Sequence, residues 1–334
     1  MDLRNQSVLV TGAGGFIGSH LVEALLEQGC QVRAMIKYNS RNDWGNLEAL
    51  PDALKNRLEI MAGDITDPFF VREAVKGCKA VFHLAALIGI PYSYIAPQHY
   101  VNVNVQGTLN VLEACRQEGV EKLVHTSTSE TYGTARYTPI DEAHPLQGQS
   151  PYSASKIAAD KMAESYYLSF DLPVATIRPF NTFGPRQSAR AIIPTIISQA
   201  LKHAQTGEPI KVGSLTPQRD FTFVKDTAQG FIRVAECDAS VGETINIGNG
   251  QTQTIGDTLH LILDILGQPH VPVVTDEQRV RPEKSEVGLL LAANQKARHL
   301  LGWTPQFSFR EGLALTIDSV AASLEQYKTG VYNV

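Results

Sequence analysis

The amino-acid sequence predicts an α/β fold, built as a doubly wound parallel sheet with helices on both faces. Short apolar runs alternate with helical patterns through the first half of the chain, which is the order that a parallel sheet requires. A glycine-rich segment lies directly between the first apolar run and an amphipathic helix. With 334 residues, the chain is long enough to add a smaller, mixed α/β domain towards its C-terminal end.

The composition excludes several classes of protein. Apolar residues make up 43% of the chain and charged residues 19%, which fits neither a disordered nor a fibrous protein. The net charge of −5 gives no general attraction to nucleic acid or to an anionic membrane. The four cysteines are scattered without metal-ligand spacing. With no secretory signal and no apolar run of roughly 18 residues, we expect a soluble cytoplasmic protein with reduced thiols.

The first strand and helix enclose the glycine-rich segment. An apolar strand at 7–11 runs into G-A-G-G-F-I-G and then a helix of period 3.6. Three glycines fall where a tight turn, a close approach of backbone to pyrophosphate and helix–strand packing leave no room for a side chain. The helix N-terminus then offers free N–H groups to phosphate. The alternative is an ordinary tight turn. The predicted dinucleotide-binding residues here are Gly12, Gly15, Phe16, Ile17 and Gly18.

The same two patterns place the remaining elements. Apolar composition favours strands, and the run A-V-F-H-L-A-A favours one that is buried on both faces. We predict strands at 31–36, 58–62, 80–86, 122–125, 174–178, 220–224 and 245–248, and helices at 44–54, 97–118, 192–205, 255–266 and 309–327. The strands near 220 and 245 are expected to return to the first domain. The first domain then comprises 1–178 plus about 219–248, and the second about 179–218 plus 249–334.

The end of the second strand bears on the choice of cofactor. An acidic residue there would bind the ribose 2′-hydroxyl of NAD, but none is present. Lys37, Ser40 and Arg41 follow instead, and these residues suit a 2′-phosphate. A solvated basic loop is the alternative interpretation. We therefore predict NADP in preference to NAD.

A tyrosine and a lysine form the candidate catalytic pair. Tyr152 and Lys156 are four residues apart, and Pro151 directly precedes them. Because proline often occupies the first position of a helix, we predict a helix that places both side chains on one face. An ammonium one turn from a phenol favours the phenolate, so the tyrosine could act as acid or base near neutral pH. Pairs with this spacing also occur on solvent-exposed helices.

Hydroxyl groups and one carboxyl group follow the strand predicted at 122–125. The segment T-S-T-S-E ends with Thr128, Ser129 and Glu130. Parallel sheets place their chemistry at such strand ends. If the strand continues, Glu130 projects to the same face as Thr128. His83 and His125 are interpreted as structural, since a single histidine at a strand end is more often a core residue.

These motifs resemble those of the extended short-chain dehydrogenase/reductase family over essentially the whole chain. They are, in order, T-G-A-G-G-F-I-G at 11–18, H-L-A-A at 83–86, N-V-Q-G-T at 104–108, Y-S-A-S-K at 152–156, R-P-F-N-T-F-G-P-R at 178–186 and R-D-F-T-F-V-K-D at 219–226. Within the family, the chain is most similar to the nucleotide-sugar 4,6-dehydratases, and more narrowly to the branch that acts in legionaminic-acid-type pathways.

The resemblance implies a reaction and a role for each catalytic candidate. Tyr152 would take the proton of the sugar 4-hydroxyl, Lys156 would bind the nicotinamide ribose, and Thr128 would hydrogen-bond the 4-keto oxygen. Glu130 would remove the C5 proton before water leaves from C6, a step that an epimerase does not need. Ser129 stands where glucose-type dehydratases have aspartate, whereas mannose-type enzymes resemble T-S-E.

The resemblance also implies binding residues and partners. The expected ligands are a nicotinamide dinucleotide and a nucleotide-diphosphate hexose or N-acetylhexosamine, and the expected assembly is a homodimer through helices near 100–117 and 153–169. Implied cofactor residues are Asp64, Ile65, Leu84, Ala85 and Ala86, and implied substrate residues are Asn104, Asn181, Arg219 and Arg281. Of these, Asn104 is expected to bridge backbone near the active site.

Three other functions remain open at this point. A nucleotide-sugar 4-epimerase and a UDP-glucuronate decarboxylase share the fold and the cofactor, and the decarboxylases also resemble T-S-E. A dinucleotide-sensing regulator without turnover is the third. A sensor has no need of the four intact side chains Thr128, Glu130, Tyr152 and Lys156, which argues against it.

Overall fold

The computed structural model describes residues 1–280 and 282–329. Its strands are β1 (Ser7–Thr11), β2 (Gln31–Lys37), β3 (Leu58–Gly63), β4 (Ala80–His83), β5 (Lys122–Thr126), β6 (Val174–Pro179), β7 (Asn181–Phe183), β8 (Ile210–Val212), β9 (Gln218–Arg219), β10 (Phe221–Phe223), β11 (Thr244–Ile247), β12 (Gln253–Thr254), β13 (Val273–Thr275) and β14 (Leu289–Leu290). Its α-helices are α1 (Phe16–Glu27), α2 (Asp52–Lys55), α3 (Pro68–Val75), α4 (Ile90–Ile95), α5 (Pro97–Tyr100), α6 (Gly107–Glu118), α7 (Pro151–Phe170), α8 (Ile192–Thr206), α9 (Val224–Glu236), α10 (Ile255–Ile265), α11 (Gln295–Leu301) and α12 (Phe309–Ala322).

The predicted doubly wound sheet is confirmed. Seven strands form one parallel sheet in the order β11-β6-β5-β4-β1-β2-β3. Alternate residues of β1 enter different cores: Val8 and Val10 pack with α1 and α9, and Leu9 packs with α3, α6 and α7. The strand order reverses between β1 and β4, and the crevice outside their carboxyl ends is where such Rossmann-type sheets bind ligands.

A second core belongs to the smaller domain. Helices α8, α10 and α12 enclose an apolar cluster with β7, β8 and β10. Within it, the rings of Phe221 and Phe309 stack and Phe183 meets both edge-on, with ring centroids 5.1–6.1 Å apart. Three small sheets, β7–β10, β12–β9–β14 and β8–β13, complete this domain. Among the described residues, no helix combines the length and the apolar character needed to span a membrane.

The structure corrects the predicted division between the domains. Strand β11 joins the main sheet beside β6, as expected. Strand β10 instead pairs with β7, outside that sheet. The predicted second domain also included α11 and Trp303, but Ala297, Leu301 and Trp303 pack in the core of the first domain. The Trp303 indole donates to the backbone oxygen of Asp226 at 2.9 Å, which ties this late segment to α9.

Three predicted helices differ from the structure. The helix expected at 44–54 is a 3₁₀ turn at Gly45–Ala49 followed by α2, because Gly45 has a φ of 65° and Pro51 interrupts the hydrogen-bond ladder. The helix expected at 97–118 contains a π-helical segment, Val101–Gln106, between α5 and α6. The terminal helix ends at Ala322 rather than at 327.

One buried carboxylate fastens the smaller domain to the main sheet. Asp220 lies between β9 and β10 and is fully buried. Its oxygens accept from the backbone N–H groups of Asn249, Gly250 and Ala292 at 2.7–3.1 Å. Burial raises the pKa of Asp220 to about 6, although these bonds oppose that shift. The carboxylate therefore joins three chain segments that are distant in sequence.

We expect Asp220→Asn to destabilise the protein. Its amide would turn an N–H donor towards backbone donors, and losing such charge-assisted bonds should lower the free energy of unfolding by about 3 kcal/mol. Urea unfolding measures this change. Asp264→Asn is the control, because Asp264 is exposed and pairs only with Arg310 on the surface. Equal stability of the two variants would contradict the role given to Asp220.

Candidate active site

The predicted helix after Pro151 is confirmed as α7. Ser150 caps it through a reciprocal pair of bonds with Ser153, and Pro151 occupies the first helical position, where no N–H donor is needed. Tyr152 and Lys156 both lie on the buried face of the helix. The cap thus fixes the start of α7 and, with it, the depth at which the phenol sits.

The sequence suggested that strand β5 continues through Thr128 and Glu130, but the structure shows that it does not. Ser129–Tyr132 form a 3₁₀ turn, and the Thr128 hydroxyl caps it by accepting from the Glu130 N–H at 3.3 Å. Short polar side chains such as threonine favour this local bond over extended backbone. Thr128 and Glu130 are half-buried, whereas Ser129 is only 3% exposed.

The turn nevertheless brings three of the predicted catalytic residues together. Tyr152 is 7% exposed, and this burial raises the pKa of its phenol. A hydrogen bond with Thr128 lowers that pKa, and the negative charge of Glu130 raises it. Both residues therefore lie within electrostatic reach of the phenol.

The expected low pKa of Tyr152 is wrong for this structure. Burial dominates, and the Lys156 ammonium donates at 2.6 Å to the backbone oxygen of Thr126. Burial also lowers the pKa of Lys156, to about 8. The lysine thus anchors α7 to the end of β5.

The glycine-rich turn approaches the end of β4 closely. Gly12 has a φ of 68°, and a Cβ there would lie 2.9 Å from the backbone nitrogen of Ala85. The Thr11 hydroxyl accepts from the N–H groups of Leu84 and Ala85, both at 3.1 Å. Glycine is required at this position. Leu84, Ala85 and Ala86 directly follow β4 and are half-buried, and their contact with a cofactor stays a prediction.

Two further glycines leave the backbone at the start of α1 uncovered by side chains. A Cβ on Gly15 would meet only the oxygen of Gly12, at 3.1 Å, and one on Gly18 would collide with that same oxygen. Phe16 and Ile17 are half-buried, with both side chains against the core of the smaller domain and Ile17 also against that of the first. Their contacts with a cofactor stay a prediction. A helix start without side chains is the cradle that a pyrophosphate needs.

The loop after β2 is exposed and ordered by one side chain. Lys37, Ser40 and Arg41 are all exposed. The side-chain carbonyl oxygen of Asn39 accepts from the backbone N–H groups of Arg41 and Asp43, both at 3.1 Å. The sequence analysis missed a contact at the end of this loop: a Cβ on Gly14 would lie 2.7 Å from the Trp44 oxygen. The two adjacent glycines of the glycine-rich segment were the sequence feature that could have indicated this close contact.

Asp64 and Ile65, expected near adenine, lie directly after β3. The Asp64 carboxylate accepts from the N–H and the hydroxyl of Thr66 at 2.9 and 2.8 Å. The Ile65 side chain is buried against α6, where a Cβ on Gly107 would lie 2.9 Å from it. Contact of Ile65 with adenine stays a prediction.

Asn104 bridges backbone rather than facing the crevice. It is 1% exposed, accepts from the Leu87 N–H at 2.8 Å and donates to the Leu87 oxygen at 3.0 Å. Its amide also donates to the Ser155 hydroxyl at 2.9 Å. This is the backbone-bridging role expected for Asn104, and its contact with a substrate stays a prediction. The π-helical segment carries Asn104 to this bridging position.

The other predicted substrate residues differ in how they are paired. Asn181, at the start of β7, has a buried side-chain oxygen without a partner among the described residues. Arg219 is buried and donates to Glu286 at 2.9 Å. Arg281 lies outside the described residues.

Behind the crevice is a polar cluster that the sequence analysis did not identify. Asp160 lies one turn beyond Lys156 and accepts from His125, Ser127 and Arg178 at 2.6–3.0 Å. The spacing of Tyr152, Lys156 and Asp160 was a signal that could have found it. His83, interpreted as structural, bonds the hydroxyls of Thr11 and Thr108 at 2.9 and 3.0 Å.

Comparison with known proteins assigns this site to a family. The family model for GDP-mannose 4,6 dehydratase matches residues 9–316, which span both domains and every described site residue. The chain belongs to this family of extended short-chain dehydrogenases/reductases. The family contains enzymes that act on nucleotide sugars, and its relatives include both dehydratases and epimerases.

Relatives of this chain are named for different reactions. A UDP-glucose 4-epimerase of Mycolicibacterium smegmatis is 35% identical, over 93% of this chain and 97% of that protein. A dTDP-glucose 4,6-dehydratase of Xanthomonas campestris is 32% identical, over 93% and 92%. The crystal structure of a UDP-glucuronic acid 4-epimerase from Bacillus cereus, in complex with UDP-glucuronic acid and NAD, has a TM-score of 0.85 and 29% identity, over 95% and 99%.

We expect Gly15→Ala to fold normally and to lose dinucleotide binding. Gly15 has φ −75° and ψ 177°, which alanine adopts without strain, but its methyl group would occupy the open space above α1. The Kd for NAD or NADP, measured by calorimetry, should rise by at least about tenfold, or ~1.4 kcal/mol.

The control for this variant is Gly288→Ala, where a Cβ meets nothing within 4 Å. It should bind the dinucleotide as the parent does. Unchanged affinity in a folded Gly15→Ala protein would exclude the glycine-rich turn as the pyrophosphate site.

Proposed function

We propose that the protein is a nucleotide-sugar 4,6-dehydratase, which converts a nucleotide-diphosphate hexose or N-acetylhexosamine into the 4-keto-6-deoxy sugar. One observation carries the proposal: the Glu130 carboxylate lies within electrostatic reach of the Tyr152 phenol. Oxidation at C4 alone needs the phenol and a hydride acceptor. Elimination across C5 and C6 needs an additional acid–base group beside the same sugar.

The residues at the crevice fit a nicotinamide dinucleotide, because the bare start of α1 and the close turn at Gly12 provide a cradle that side chains would fill. When bound, that cofactor accepts a hydride from C4 and returns it to C6. Lys156 is placed to bind its ribose. The Thr128 hydroxyl accepts from the Glu130 N–H, so its own hydrogen is free for the phenol or for the growing 4-keto oxygen.

Two side chains would carry out the proton transfers. Tyr152 would take the proton of the 4-hydroxyl as the phenolate, a form that burial opposes and the Thr128 hydrogen bond favours. The resulting ketone acidifies C5, and Glu130 would remove the C5 proton and pass it to the 6-hydroxyl, which leaves as water. When hydride adds to C6, C5 takes up a proton through solvent, equal to the one that Tyr152 removed from the 4-hydroxyl. Ser129, which is buried in the turn, contributes no acid. One carboxyl thus serves both positions.

Substrate binding would involve the crevice between the domains. The unpartnered oxygen of Asn181 is a buried acceptor that a sugar or ribose hydroxyl would satisfy. The buried Arg219 guanidinium suits a diphosphate through paired hydrogen bonds. Arg281 stays a prediction for the same role.

A nucleotide-sugar 4-epimerase is the second candidate. The Mycolicibacterium smegmatis relative, named a UDP-glucose 4-epimerase, is as similar to this chain as the dehydratases are. Epimerisation would use the same phenol, hydroxyl and ammonium. It would leave Glu130 without a chemical role, and that difference makes the two candidates separable.

Glu130→Gln should abolish dehydration and spare C4 oxidation. The parent should convert one of a panel of UDP-, GDP-, CDP- and dTDP-hexoses to a 4-keto sugar, detected by its ultraviolet absorbance in alkali. In the variant, removing the base should slow water elimination by about 100-fold or more, while cofactor reduction in a single turnover persists.

The matched control is Glu121→Gln, an exposed glutamate that pairs with Lys79 at the opposite end of β5. It should retain full activity. Dehydration at the parent rate in Glu130→Gln would refute the proposal, and a C4 epimer as the parent's product would favour the second candidate.

For the cofactor we propose NADP. Lys37, Ser40 and Arg41 lie exposed at the end of β2, and Asn39 fixes the backbone that carries them. No acidic residue stands directly after this strand to bind a ribose 2′-hydroxyl. Cationic side chains beside the ribose would favour the 2′-phosphate.

The double variant Lys37→Ala/Arg41→Ala should bind NADP about tenfold more weakly, or ~1.4 kcal/mol, because a charge-assisted contact is lost. Its Kd for NAD should stay unchanged. Lys55→Ala, in α2 and paired with Asp52, is the control. Equal losses for NAD and NADP would contradict recognition of the 2′-phosphate.

We also propose a homodimer through α6 and α7. Leu168 and Phe170 at the end of α7 are 70% and 52% exposed, and Val101 before α6 is also exposed. Large apolar side chains on neighbouring helices are typical of a surface that is covered in an assembly.

A further inference from the structure

Asp160, at the centre of the polar cluster behind the crevice, has no role in the reaction proposed above. Tyr152, Lys156 and Asp160 follow one another at intervals of four residues along α7, so they share one face of the helix. All three are buried. The first two face the crevice and the strand end, and Asp160 lies one turn further along.

Asp160 is ionised and held from two strands. Its Oδ2 accepts from the Ser127 hydroxyl at 2.6 Å and from the Arg178 guanidinium at 2.9 Å. Its Oδ1 accepts from His125 Nε2 at 3.0 Å. Burial raises the pKa of Asp160, but the His125 bond and the charges of Arg178 and Lys156 outweigh it and hold the pKa well below its usual value.

The histidines of this cluster are neutral. Burial lowers the pKa of His125, and that of His83 on the adjacent strand, 5.9 Å away between ring centroids. Because a carboxylate only accepts, Nε2 carries the hydrogen of His125, and its buried Nδ1 has no partner among the described residues. The charged groups of the cluster are therefore Asp160, Arg178 and Lys156.

Tyr132 and Asn246 hold the far end of the cluster, where the Glu142 carboxyl group accepts from the Asn246 backbone N–H at 2.8 Å. Arg178 donates at 3.0 Å to the Tyr132 hydroxyl, which donates at 2.7 Å to the Asn246 side-chain oxygen on β11. The guanidinium also lies over the Tyr132 ring, 4.9 Å from its centroid. Arg178 is thereby held towards β11, on the far side of Asp160.

The carboxylate acts on the lysine beside it. Burial lowers the pKa of Lys156 to about 8, and the negative charge of Asp160 raises it. Side chains one helical turn apart are neighbours, and a low-dielectric interior strengthens such a pair. Without that charge, Lys156 would lose its proton closer to neutral pH.

We infer that Asp160 is a positioning residue, which keeps Lys156 charged and directed at the cofactor ribose. Ser127, His125 and Arg178 hold the carboxylate in place for this purpose. The inference rests on the role proposed for Lys156 in the reaction. Asp160 itself touches no substrate or cofactor.

Asp160→Asn tests the inference by removing the charge and keeping the shape. In protein labelled with ¹³C at the lysine Cε, the Lys156 signal is assigned by its loss in Lys156→Met. Because an opposite charge one turn away shifts a pKa by about one unit or more, its titration midpoint should be about one pH unit lower in Asp160→Asn. This measurement needs neither cofactor nor substrate.

The activity should follow the same titration. A one-unit shift predicts that the ratio of kcat/KM, variant to parent, falls about sixfold between roughly pH 6.5 and 8.5, since less ammonium remains at the higher pH. Asp160→Glu should restore a constant ratio. A purely structural role would lower activity equally at each pH.

Tyr132→Phe is the control, since it removes a bond to Arg178 and leaves the Asp160 charge intact. It should lower Tm without moving the Lys156 midpoint. If Asp160→Asn does not fold, Asp160→Asn/Arg178→Gln carries the test, because removing both partners leaves no unpaired buried charge.

An unmoved midpoint in a folded variant overturns the inference, whatever the activity does. A lowered midpoint with a constant activity ratio supports the coupling of Asp160 to Lys156. That second result would contradict the role of the Lys156 charge in the proposed reaction.

Discussion

The placement of α7 depends on one buried carboxylate. Asp160 receives hydrogen bonds from β5 and β6, and the caps at Ser150 fix the other end of the same helix. A buried ion pair adds little net stability, because both charges must leave water, but it is satisfied in only one geometry. The cluster therefore selects the register of α7 against the sheet. Every group that faces the crevice from this helix takes its position from that choice.

The crevice itself results from two close backbone approaches. Gly12 permits the turn after β1 to touch the end of β4, and Thr11 closes the contact with two hydrogen bonds. On the other side, the 3₁₀ turn after β5 brings Thr128 and Glu130 to the phenol. The strand ends supply the polar groups and the glycines supply the space.

Local patterns in the sequence predicted much of this architecture. Apolar runs located the strands of the main sheet, and Pro151 with the four-residue spacing located the start of α7 and its buried face. The sequence did not reveal which groups these side chains contact. Lys156 bonds Thr126 and Ile65 packs on α6, because burial and distant partners decide these contacts. The turn at Thr128 was missed since a local capping bond competes with the strand.

The contact between the glycine-rich turn and the loop after β2 constrains how this enzyme could be redesigned. Asn46 donates to the Gly14 oxygen at 2.9 Å, and a Cβ on Gly45 would lie 2.6 Å from that same atom. The glycine-rich turn and the loop after β2 therefore pack closely against each other. A loop transplanted from a homologue to exchange cofactor preference would need its own matching glycine turn. Evolution of dinucleotide selectivity in this chain should accordingly proceed by paired changes in the two segments.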